Sequence, residues 1–321
     1  MKHDLTPDWT SLLRKAQAKR AQILGNAYRV INGLEDGLEG VTLDRYNTHW
    51  QLQFFDRTWF WCENVLCDAI RSVFQPRFLV VKERLDPAGK SLEKPVMRVV
   101  HGAAQDSACE VLEGSARFKV DLLDTVNPGL FLDMRENRLA LAPLAAGGEM
   151  LNLFCYTGSF SVHARLAGAT RAVNVDVSAK ILDRVRENYQ VNKIDVQRGE
   201  FFRGDAEEYL RYAVRKGLKF RTIVLDPPSF SRSDRGIFQV KTHLGDLAEL
   251  CTQLVEPAGR LLVATNYSGM TGDDLQSLMQ ERATVLGCNL HMEWVRGQGS
   301  DFPGSGRVKE SCLVAGLWRL A

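Results

Sequence analysis

The stretch from Leu151 to Glu187 most strongly limits the folds open to this chain, because it reads as strand, tight loop, helix, strand and helix in succession. Leu151 to Phe154 is a short apolar run typical of a buried parallel strand. A helical pattern begins after Gly158, and a second strand from Arg171 to Val175 ends at Asp176. Strands that alternate with helices in this way predict an α/β fold with a mostly parallel sheet.

The loop and the second strand carry features of a nucleotide-binding site. Gly158 would let the loop backbone approach a ligand closely, and Ser159 is predicted to cap the following helix. Asp176 lies eighteen residues beyond Gly158, close to the spacing at which an acidic side chain accepts hydrogen bonds from ribose hydroxyls. A complete G-x-G-x-x-G motif is absent, which favours a nucleoside cofactor without phosphates. The alternative is that these are ordinary α/β turns that bind nothing.

Two later strand ends add polar groups to the same edge of the predicted sheet. Asp205 follows a third strand-like stretch and is expected to accept a hydrogen bond from an adenine amino group. A fourth buried strand ends in Asp226, Pro227, Pro228, Ser229 and Phe230. Two successive prolines cannot continue a central strand, so the chain turns rigidly there. The turn is expected to direct the Asp226 side chain, the Pro227 carbonyl and the Phe230 ring toward a flat, polar substrate in the crevice where parallel sheets bind ligands.

These segments resemble class I S-adenosylmethionine-dependent methyltransferases, and within them bacterial large-subunit ribosomal RNA methyltransferases. Val126 to Arg138 looks like the family's signature, in which Gly-Phe-x-x-Asp-x-Arg is usual, and Tyr28 to Tyr46 is similar to the opening of the small domain that precedes the catalytic domain. The resemblance implies a Rossmann-like α/β core with a mostly parallel seven-stranded sheet and helices on both faces. It also implies S-adenosyl-L-methionine as cofactor and RNA as partner.

The resemblance assigns roles to individual residues. The expected cofactor-binding residues are Phe131, Asp133, Arg135, Tyr156, Gly158, Asp176 and Asp205. The residues expected to face the acceptor are Asp226, Pro227, Phe230 and Asn266. No metal site is expected, because the seven cysteines form no C-x-x-C pair and follow no zinc spacing. Cys155 is predicted to be a packed residue of the cofactor loop rather than a nucleophile.

The segment after the predicted fifth strand bears on the acceptor atom. In the cytosine-C5 branch of the family a Ser-Cys-Ser pattern stands there, and its thiolate adds to the ring. Here the strand from Arg260 to Ala264 is followed by Thr265, Asn266, Tyr267 and Ser268. Asn266 resembles the guanine-N7 branch, which has an Asn-Asn pair at this place and an Asp-Pro-Pro-Thr-Phe-Ser turn. Guanine N7 offers a lone pair without deprotonation, so methylation of a ring or exocyclic nitrogen, with guanine N7 favoured, is expected.

Two other enzymatic functions and one non-catalytic function stay open. Asp-Pro-Pro-Ser-Phe is also similar to the motif used for exocyclic amines and glutamine amides, in which an aromatic ring stacks on the substrate. The alternatives are therefore an rRNA cytosine-C5 methyltransferase, a protein or small-molecule N-methyltransferase, and a cofactor-binding scaffold for ribosome assembly.

Composition indicates a globular protein of two domains. The chain has 321 residues and is 45% hydrophobic, enough for two cores. We expect an N-terminal helix within residues 1–24, a small α+β domain over residues 25–124 that recognises substrate, and a methyltransferase domain over residues 125–321. No apolar run reaches membrane-span length and no signal pattern opens the chain, so a cytoplasmic protein without a membrane partner is expected. Homodimers occur in the family, although no heptad pattern marks an interface here.

Two side-chain clusters in the first half of the chain have both structural and functional interpretations. Arg14, Lys15, Lys19 and Arg20 lie on the predicted first helix, from about Asp8 to Leu24. They are as compatible with a solvated face as with RNA contact, because the net charge of +2 allows a basic face only if charges segregate. The stripe of Trp59, Trp61 and Val65 is predicted to pack into the core rather than to stack on bases.

Overall fold

The computed structural model describes residues 7–85, 91–125, 127–233, 236–304 and 313–321. The chain divides into two compact units, Met1–Asp133 with Gly299–Val308 and Met134–Gln298 with Lys309–Ala321. The units therefore change at Asp133, and a late segment groups with the first unit. The substrate-recognition and catalytic roles predicted for residues 25–124 and 125–321 stay predictions.

A sheet of five strands forms the centre of the first unit, in the order β1-β2-β3-β4-β5. In chain order the elements are α1 (Trp9–Ala18), β1 (Ala27–Asn32), β2 (Val41–Tyr46), β3 (His49–Phe54), α2 (Glu63–Phe74), β4 (Phe78–Leu85), β5 (Ser91–His101), β6 (Ala108–Glu113) and β7 (Ala116–Asp121). β3 and β4 are parallel and are connected through α2, whereas the other neighbouring strands are antiparallel. β6 and β7 form a separate antiparallel pair.

The two faces of this sheet differ in chemistry, because successive side chains of a strand point to opposite sides. One face is apolar and shares a core with α1 and α2, through Leu13, Leu43, Leu52, Ile70 and Val81. The residues that alternate with them include Thr42, Gln53 and Lys82, which are polar and are also buried. The second face is therefore a buried polar surface.

The first helix is shorter than the sequence predicts. α1 follows the N-cap Asp8, whose carboxylate accepts the N–H of Ser11 at 3.0 Å, and ends at Ala18 rather than near Leu24. The helix ends early because the Arg20 guanidinium is drawn into a buried ion pair with Asp36, and successive turns carry the chain beyond it.

The basic cluster on this helix is partly structural. Arg20 is only 3% exposed and donates hydrogen bonds to both carboxylate oxygens of Asp36. Lys19 donates to the same carboxylate at 3.0 Å. Burial raises the pKa of Asp36, but these donors outweigh it and hold the pKa below its usual value. Lys19 and Arg20 therefore stabilise the fold, while Arg14, Lys15 and most of the Lys19 side chain stay exposed.

The prediction that Trp59, Trp61 and Val65 form one core stripe is wrong for two of the three. Trp59 packs against the core and meets Trp9 edge-on, with ring centroids 6.1 Å apart. Trp61 is 59% exposed and Val65 is 50% exposed. The reason is that α2 begins only at Glu63 and a 3₁₀ turn precedes it, so a helical period of 3.6 does not apply across this stretch.

A late segment completes the first unit. The Asp301 carboxylate accepts the backbone N–H of Arg29 at 2.9 Å, and the Asp301 carbonyl accepts from the Arg20 guanidinium at 3.2 Å. The Pro303 carbonyl accepts from the Asn32 amide at 3.1 Å. The Arg29 guanidinium also lies over the Phe302 ring, 4.6 Å from its centroid. These contacts hold the segment to β1 and its neighbours.

The second unit contains a sheet of seven strands in the order β10-β9-β8-β11-β14-β16-β15. Its elements are α3 (Arg135–Leu141), β8 (Glu149–Leu153), α4 (Ser159–Leu166), β9 (Arg171–Asp176), α5 (Ala179–Val191), β10 (Phe201–Arg203), α6 (Ala206–Arg215), β11 (Phe220–Leu225), β12 (Phe230–Ser233), β13 (Gly236–Gln239), α7 (Val240–Leu254), β14 (Val255–Thr265), α8 (Gly272–Leu286), β15 (Leu290–Arg296) and β16 (Val314–Leu320). β10, β9, β8, β11 and β14 are mutually parallel, and β16 runs antiparallel to β14. The predicted Rossmann-like, mostly parallel fold is confirmed.

The order of the strands reverses direction between β8 and β11, and a crevice is expected outside the strand ends at such a place. β8 and β11 are neighbours, but the chain continues from β8 toward β9 and β10 on one side and from β11 toward β14 on the other. Leu153 pairs with both Val175 and Leu225, so the loops after β8, β9 and β11 leave the sheet at one level. Open α/β sheets bind ligands at such a reversal. None of the helices in the described chain is long and apolar enough to span a membrane.

Candidate active site

The loop after β8 has an unusual backbone. Phe154, Tyr156 and Gly158 all have positive φ, at 54°, 48° and 73°. Gly158 is the N-cap of α4, and a Cβ atom built on it would lie 2.5 Å from Cγ1 of Val185. Glycine is therefore required here for its conformation and for its lack of a side chain. The prediction that Ser159 caps α4 is wrong, because Gly158 occupies the cap and Ser159 is the first helical residue.

Asp176 connects this loop to the tip of β9. Its Oδ2 accepts the N–H of Tyr156 at 3.3 Å, and its Oδ1 accepts the N–H of Ser178 at 2.9 Å. Burial raises the pKa of Asp176, while the N–H groups of Ser178 and Tyr156 act in the opposite direction. A carboxylate has about four lone-pair sites. The N–H groups of Tyr156, Val177 and Ser178 therefore orient the Asp176 carboxylate, which keeps lone-pair capacity for a further donor.

A buried hydrogen-bond network supports the loop from below. The Asn152 amide donates to Ser161 Oγ at 3.0 Å, and Ser161 Oγ donates to Asn174 Oδ1 at 2.7 Å. The Asn174 amide donates to the Tyr189 hydroxyl at 3.2 Å. The Asn188 amide donates to the Thr157 carbonyl, inside the loop itself, at 2.9 Å. Side chains from β8, α4, β9 and α5 thus fix the loop before any ligand binds.

Glu200 completes this support and is fully buried. Its carboxylate accepts the N–H groups of Ala172 at 3.0 Å and Gln197 at 2.8 Å, and it forms an ion pair with Arg165. We call Asn152, Ser161, Asn174, Asn188, Tyr189 and Glu200 the loop-support network. This network was not predicted from the sequence. A polar residue inside an apolar strand, as in Leu151-Asn152-Leu153, is a usable signal of a buried network.

Asp205 lies at the same edge of the sheet, two residues past the Arg203–Asp176 pair that ends β10. Its Oδ1 accepts the N–H groups of Glu207 at 2.9 Å and Glu208 at 3.2 Å, so it is the N-cap of α6. This structural role was not predicted from the sequence. Its interaction with an adenine amino group stays a prediction.

The residues expected to face the acceptor come from two neighbouring strands. Asp226 directly follows β11 and Asn266 directly follows β14, and these strands pair through Leu225 and Val263. Asp226 is half-buried, Pro227 is buried and Asn266 is exposed. Asp176, Asp226 and Asn266 thus lie at the carboxyl ends of β9, β11 and β14, on the same edge of the sheet.

Four other predicted site residues lie outside this group of strand ends. Phe230 begins β12, and its side chain lies outside the described residues. Phe131 and Asp133 belong to the first unit, and Arg135 begins α3 in the second unit and is buried. Their roles in cofactor and acceptor binding stay predictions.

The cysteines described in the second unit are protonated thiols at neutral pH. Burial raises the pKa of the Cys155 thiol well above its ordinary value, and the nearby Asp176 carboxylate acts in the same direction. Burial also raises the pKa of Cys251 and Cys288. The prediction that Cys155 is a packed residue agrees with its burial. Cys312 lies outside the described residues.

Comparison with known proteins identifies the family. The family model described as S-adenosylmethionine-dependent methyltransferase matches residues 26–305. The chain belongs to this family. Ribosomal RNA large subunit methyltransferase I of Aeromonas hydrophila is 32% identical over 307 residues, which are 95% of this chain and 76% of that protein. The protein of the same name from Escherichia coli is 30% identical over 315 residues, 96% of this chain and 79% of the relative.

Solved structures share the fold of this methyltransferase. The crystal structure of SMU.776 complexed with SAH aligns with a TM-score of 0.85 at 24% identity, covering 97% of this chain and 80% of that one. The SAM-dependent methyltransferase from Agrobacterium tumefaciens aligns with a TM-score of 0.68 at 20% identity, covering 92% and 90% of the two chains. At these identities the likeness establishes the fold.

The residues at the crevice edge fit S-adenosyl-L-methionine, the cofactor of this family. The cofactor is a nucleoside without phosphates, and its ribose hydroxyls are hydrogen-bond donors. Asp176 offers an oriented carboxylate at the tip of the second strand of the sheet. Gly158 leaves the loop backbone without a Cβ at a point where a Cβ would collide with Val185. A methyltransferase of this kind therefore needs no phosphate-binding glycine motif.

Proposed function

We propose that this methyltransferase modifies a base of large-subunit ribosomal RNA and that the acceptor is a nitrogen, with guanine N7 favoured. The RNA substrate is supported by the relatives named large subunit methyltransferase I, which cover nearly the whole chain. The nitrogen acceptor is supported by the chain's own residues. The observation that carries it is the end of β14 and the segment after it, where Thr265, Asn266, Tyr267 and Ser268 supply no thiol.

Carbon-5 of cytosine is a poor nucleophile, and its methylation requires a thiolate that first adds to the ring. The thiol of Cys155, within the loop after β8, is 5% exposed, and burial raises its pKa. A reactive cysteine needs the opposite environment, with a lowered pKa and an adjacent base. Guanine N7 needs neither, because its lone pair is available at neutral pH.

In the proposed complex the chain orients the base and excludes water from the site. The Asp226 carboxylate and the Pro227 carbonyl accept hydrogen bonds from the amino group of the base, and the Phe230 ring stacks on its plane. The Asn266 amide holds the edge of the base. The bound cofactor supplies a methyl group already activated on a sulfonium. Correct in-line placement of the nitrogen therefore accounts for most of the rate enhancement.

The test is transfer of labelled methyl from S-adenosylmethionine to RNA and protein from a strain that lacks this gene, followed by nucleoside and peptide mass spectrometry. Label in an N-methylated guanine is the expected result. Label in 5-methylcytosine would contradict the nitrogen acceptor and point to Cys312 or another thiol. Label in protein alone would rule out the RNA substrate, and RNA binding without any transfer would favour a scaffold function.

Variants on the two sides of the crevice test the assignment of residues. Asn266→Ala is expected to spare cofactor affinity and lower the turnover number about tenfold, the equivalent of one lost hydrogen bond of about 1.4 kcal/mol. Ser268→Ala, at an exposed neighbour, is the matched control and is expected to change neither. If Asn266→Ala weakened cofactor binding as much as turnover, the placement of Asn266 on the acceptor side would be wrong.

A further inference from the structure

A groove that opens to solvent lies beside the end of α1 in the first unit. We call it the α1 groove; its walls include Arg14, Gln17, Ala18, Ala21, Ile23 and Tyr28. Its volume is about 420 Å³, within the range of small-ligand sites. Tyr28 is 6% exposed, whereas Arg14, Ala18 and Ala21 are exposed. The groove is therefore accessible along α1 and closed on the side of Tyr28.

The chain that follows α1 holds one wall of the groove in place. Gly25, which lines the groove, has a φ of 126°, and a Cβ atom built on it would lie 2.2 Å from the Leu112 carbonyl oxygen. The Asn26 N–H donates to that carbonyl at 2.9 Å, and the Asn26 side chain accepts the Leu112 N–H at 2.7 Å. The Gly114 N–H donates to the Leu24 carbonyl at 3.1 Å. The hairpin of β6 and β7 thus fixes this wall before any ligand binds.

The ring of Tyr28 is held in a similar way. Tyr28 of β1 pairs in register with Arg45 of β2. Arg45 Nη1 donates to the Tyr28 hydroxyl at 2.8 Å, and the Arg45 guanidinium lies 5.5 Å from the centroid of the Tyr28 ring. A ligand that enters the groove therefore meets a preformed site, which lowers the entropy cost of binding.

The charges around the groove are of one sign. The chain from Trp9 to Leu34 contains basic residues and no aspartate or glutamate. Arg20 also lines the groove, but Asp36 neutralises it. Glu113, the bridge partner of Gly25, is fully buried and is not a lining residue. Within the part of the chain that the structure describes, the exposed Arg14 guanidinium forms no ion pair.

The lining of the groove indicates the chemistry of its ligand. The Arg14 guanidinium offers donors to an anion, and the Gln17 amide offers both a donor and an acceptor. Ala18, Ala21 and Ile23 are apolar, which suits the face of a flat ring. A nucleotide combines an anionic phosphate with a flat base. Proteins that recognise RNA by its bases bind unstacked bases of single-stranded segments, which can enter such a groove.

We propose that the α1 groove binds one nucleotide of a single-stranded segment of the RNA substrate. Arg14 contacts the phosphate, Gln17 contacts a polar edge, and the apolar wall of Ala18, Ala21 and Ile23 contacts the base. The inference rests on the proposed function, because the RNA supplies the nucleotide. A net charge of only +2 makes such a local basic stretch necessary for phosphate contact.

The test compares Arg14→Gln and Ala21→Glu with Lys15→Gln, a control that removes a charge from the next exposed position of α1, outside the groove lining. Affinity for ribosomal RNA from a strain lacking the gene is measured between about 50 and 200 mM salt. Arg14→Gln is expected to bind RNA about tenfold more weakly, and the slope of log affinity against log salt should become shallower by about 0.7. Ala21→Glu places a carboxylate in the groove and should weaken RNA binding at least as much.

The control separates the groove from a general basic surface. Lys15→Gln should lower RNA affinity by less than about threefold, because salt screens a charge that makes no direct contact. Affinity for S-adenosylmethionine and thermal stability should be unchanged in all three variants.

Each other outcome counts against a defined statement. Equal losses in Arg14→Gln and Lys15→Gln, with Ala21→Glu like the wild type, would overturn the groove in favour of a diffuse basic face. Weaker RNA binding by Arg14→Gln with an unchanged salt slope would overturn the phosphate contact. Wild-type RNA affinity in Arg14→Gln and Ala21→Glu, with methyl transfer to RNA intact in the wild type, would overturn the groove and leave the proposed function standing. A wild-type chain that neither binds nor methylates RNA would overturn the proposed function itself.

Discussion

The two units contain buried polar clusters of opposite character. In the loop-support network of the second unit, Glu200 accepts from Ala172, Gln197 and Arg165, and Asn174 is bonded on both sides of its amide. On the buried polar face of the first unit's sheet, Lys82 is equally buried, but its ammonium has no hydrogen-bond partner within the described chain. Paired buried groups stabilise one arrangement of the chain, whereas an unpaired buried group lowers its stability.

Removal of Glu200 should give the largest effect on stability. Glu200→Ala leaves the largely buried guanidinium of Arg165 without its carboxylate, and is expected to lower the free energy of unfolding by about 3–5 kcal/mol. Urea denaturation followed by circular dichroism measures this. The control is Glu149→Ala, which breaks the more exposed pair with Arg171 and should cost less than about 1 kcal/mol. Similar losses in the two variants would show that the loop-support network is no more stabilising than a surface pair.

The next largest effect is expected on the affinity for the cofactor, measured in the absence of RNA. Asp176→Ala removes the carboxylate that accepts from Tyr156 and Ser178, and with it the expected ribose contacts. Two hydrogen bonds to a charged group contribute on the order of 3 kcal/mol, so affinity for S-adenosylmethionine should fall about 100-fold by isothermal titration calorimetry. Asp183→Ala, at an exposed carboxylate of α5, should leave the affinity unchanged. Unchanged affinity in Asp176→Ala would remove Asp176 from the cofactor site.

The second unit was the easier of the two to predict from the sequence. Buried parallel strands are nearly continuous apolar runs, so β8, β9 and β11 are visible as such, and their ends carry Asp176 and Asp226. The N-cap of α4 could not be predicted from residue type, because serine is in general a better N-cap residue than glycine. Gly158 takes that position through a left-handed backbone that leaves space for Val185.

The first unit depends more on contacts between distant parts of the chain. α1 ends where Arg20 turns to Asp36, and the Arg29 N–H bonds to Asp301, 272 residues away. No local pattern contains such pairs. The burial of the second face of this sheet could not be predicted for a related reason: Gln51, Gln53 and Lys82 alternate with apolar residues as if they faced water, but all three are buried.

The smallest effect, and the sharpest test of the comparison, is an increase in stability. Lys82→Met should raise the free energy of unfolding at pH 7 by about 1–3 kcal/mol, because it removes an unpaired buried charge. Lys216→Met, at an exposed position, should change it by less than about 0.5 kcal/mol. Urea denaturation at several pH values measures both. A less stable Lys82→Met at pH 7 would mean that the ammonium already has a partner in the free chain.

The shifted pKa of Lys82 determines how the difference in stability between Lys82→Met and the wild type depends on pH. Burial lowers the pKa of Lys82 from 10.5 to about 8 in the folded chain, with Arg84 adding to the shift and Asp124 and Asp44 opposing it. Between these two pH values the unfolded chain binds more protons at Lys82 than the folded chain, so wild-type stability rises with pH there. The advantage of Lys82→Met should therefore be full below about pH 8 and decline toward pH 10.5.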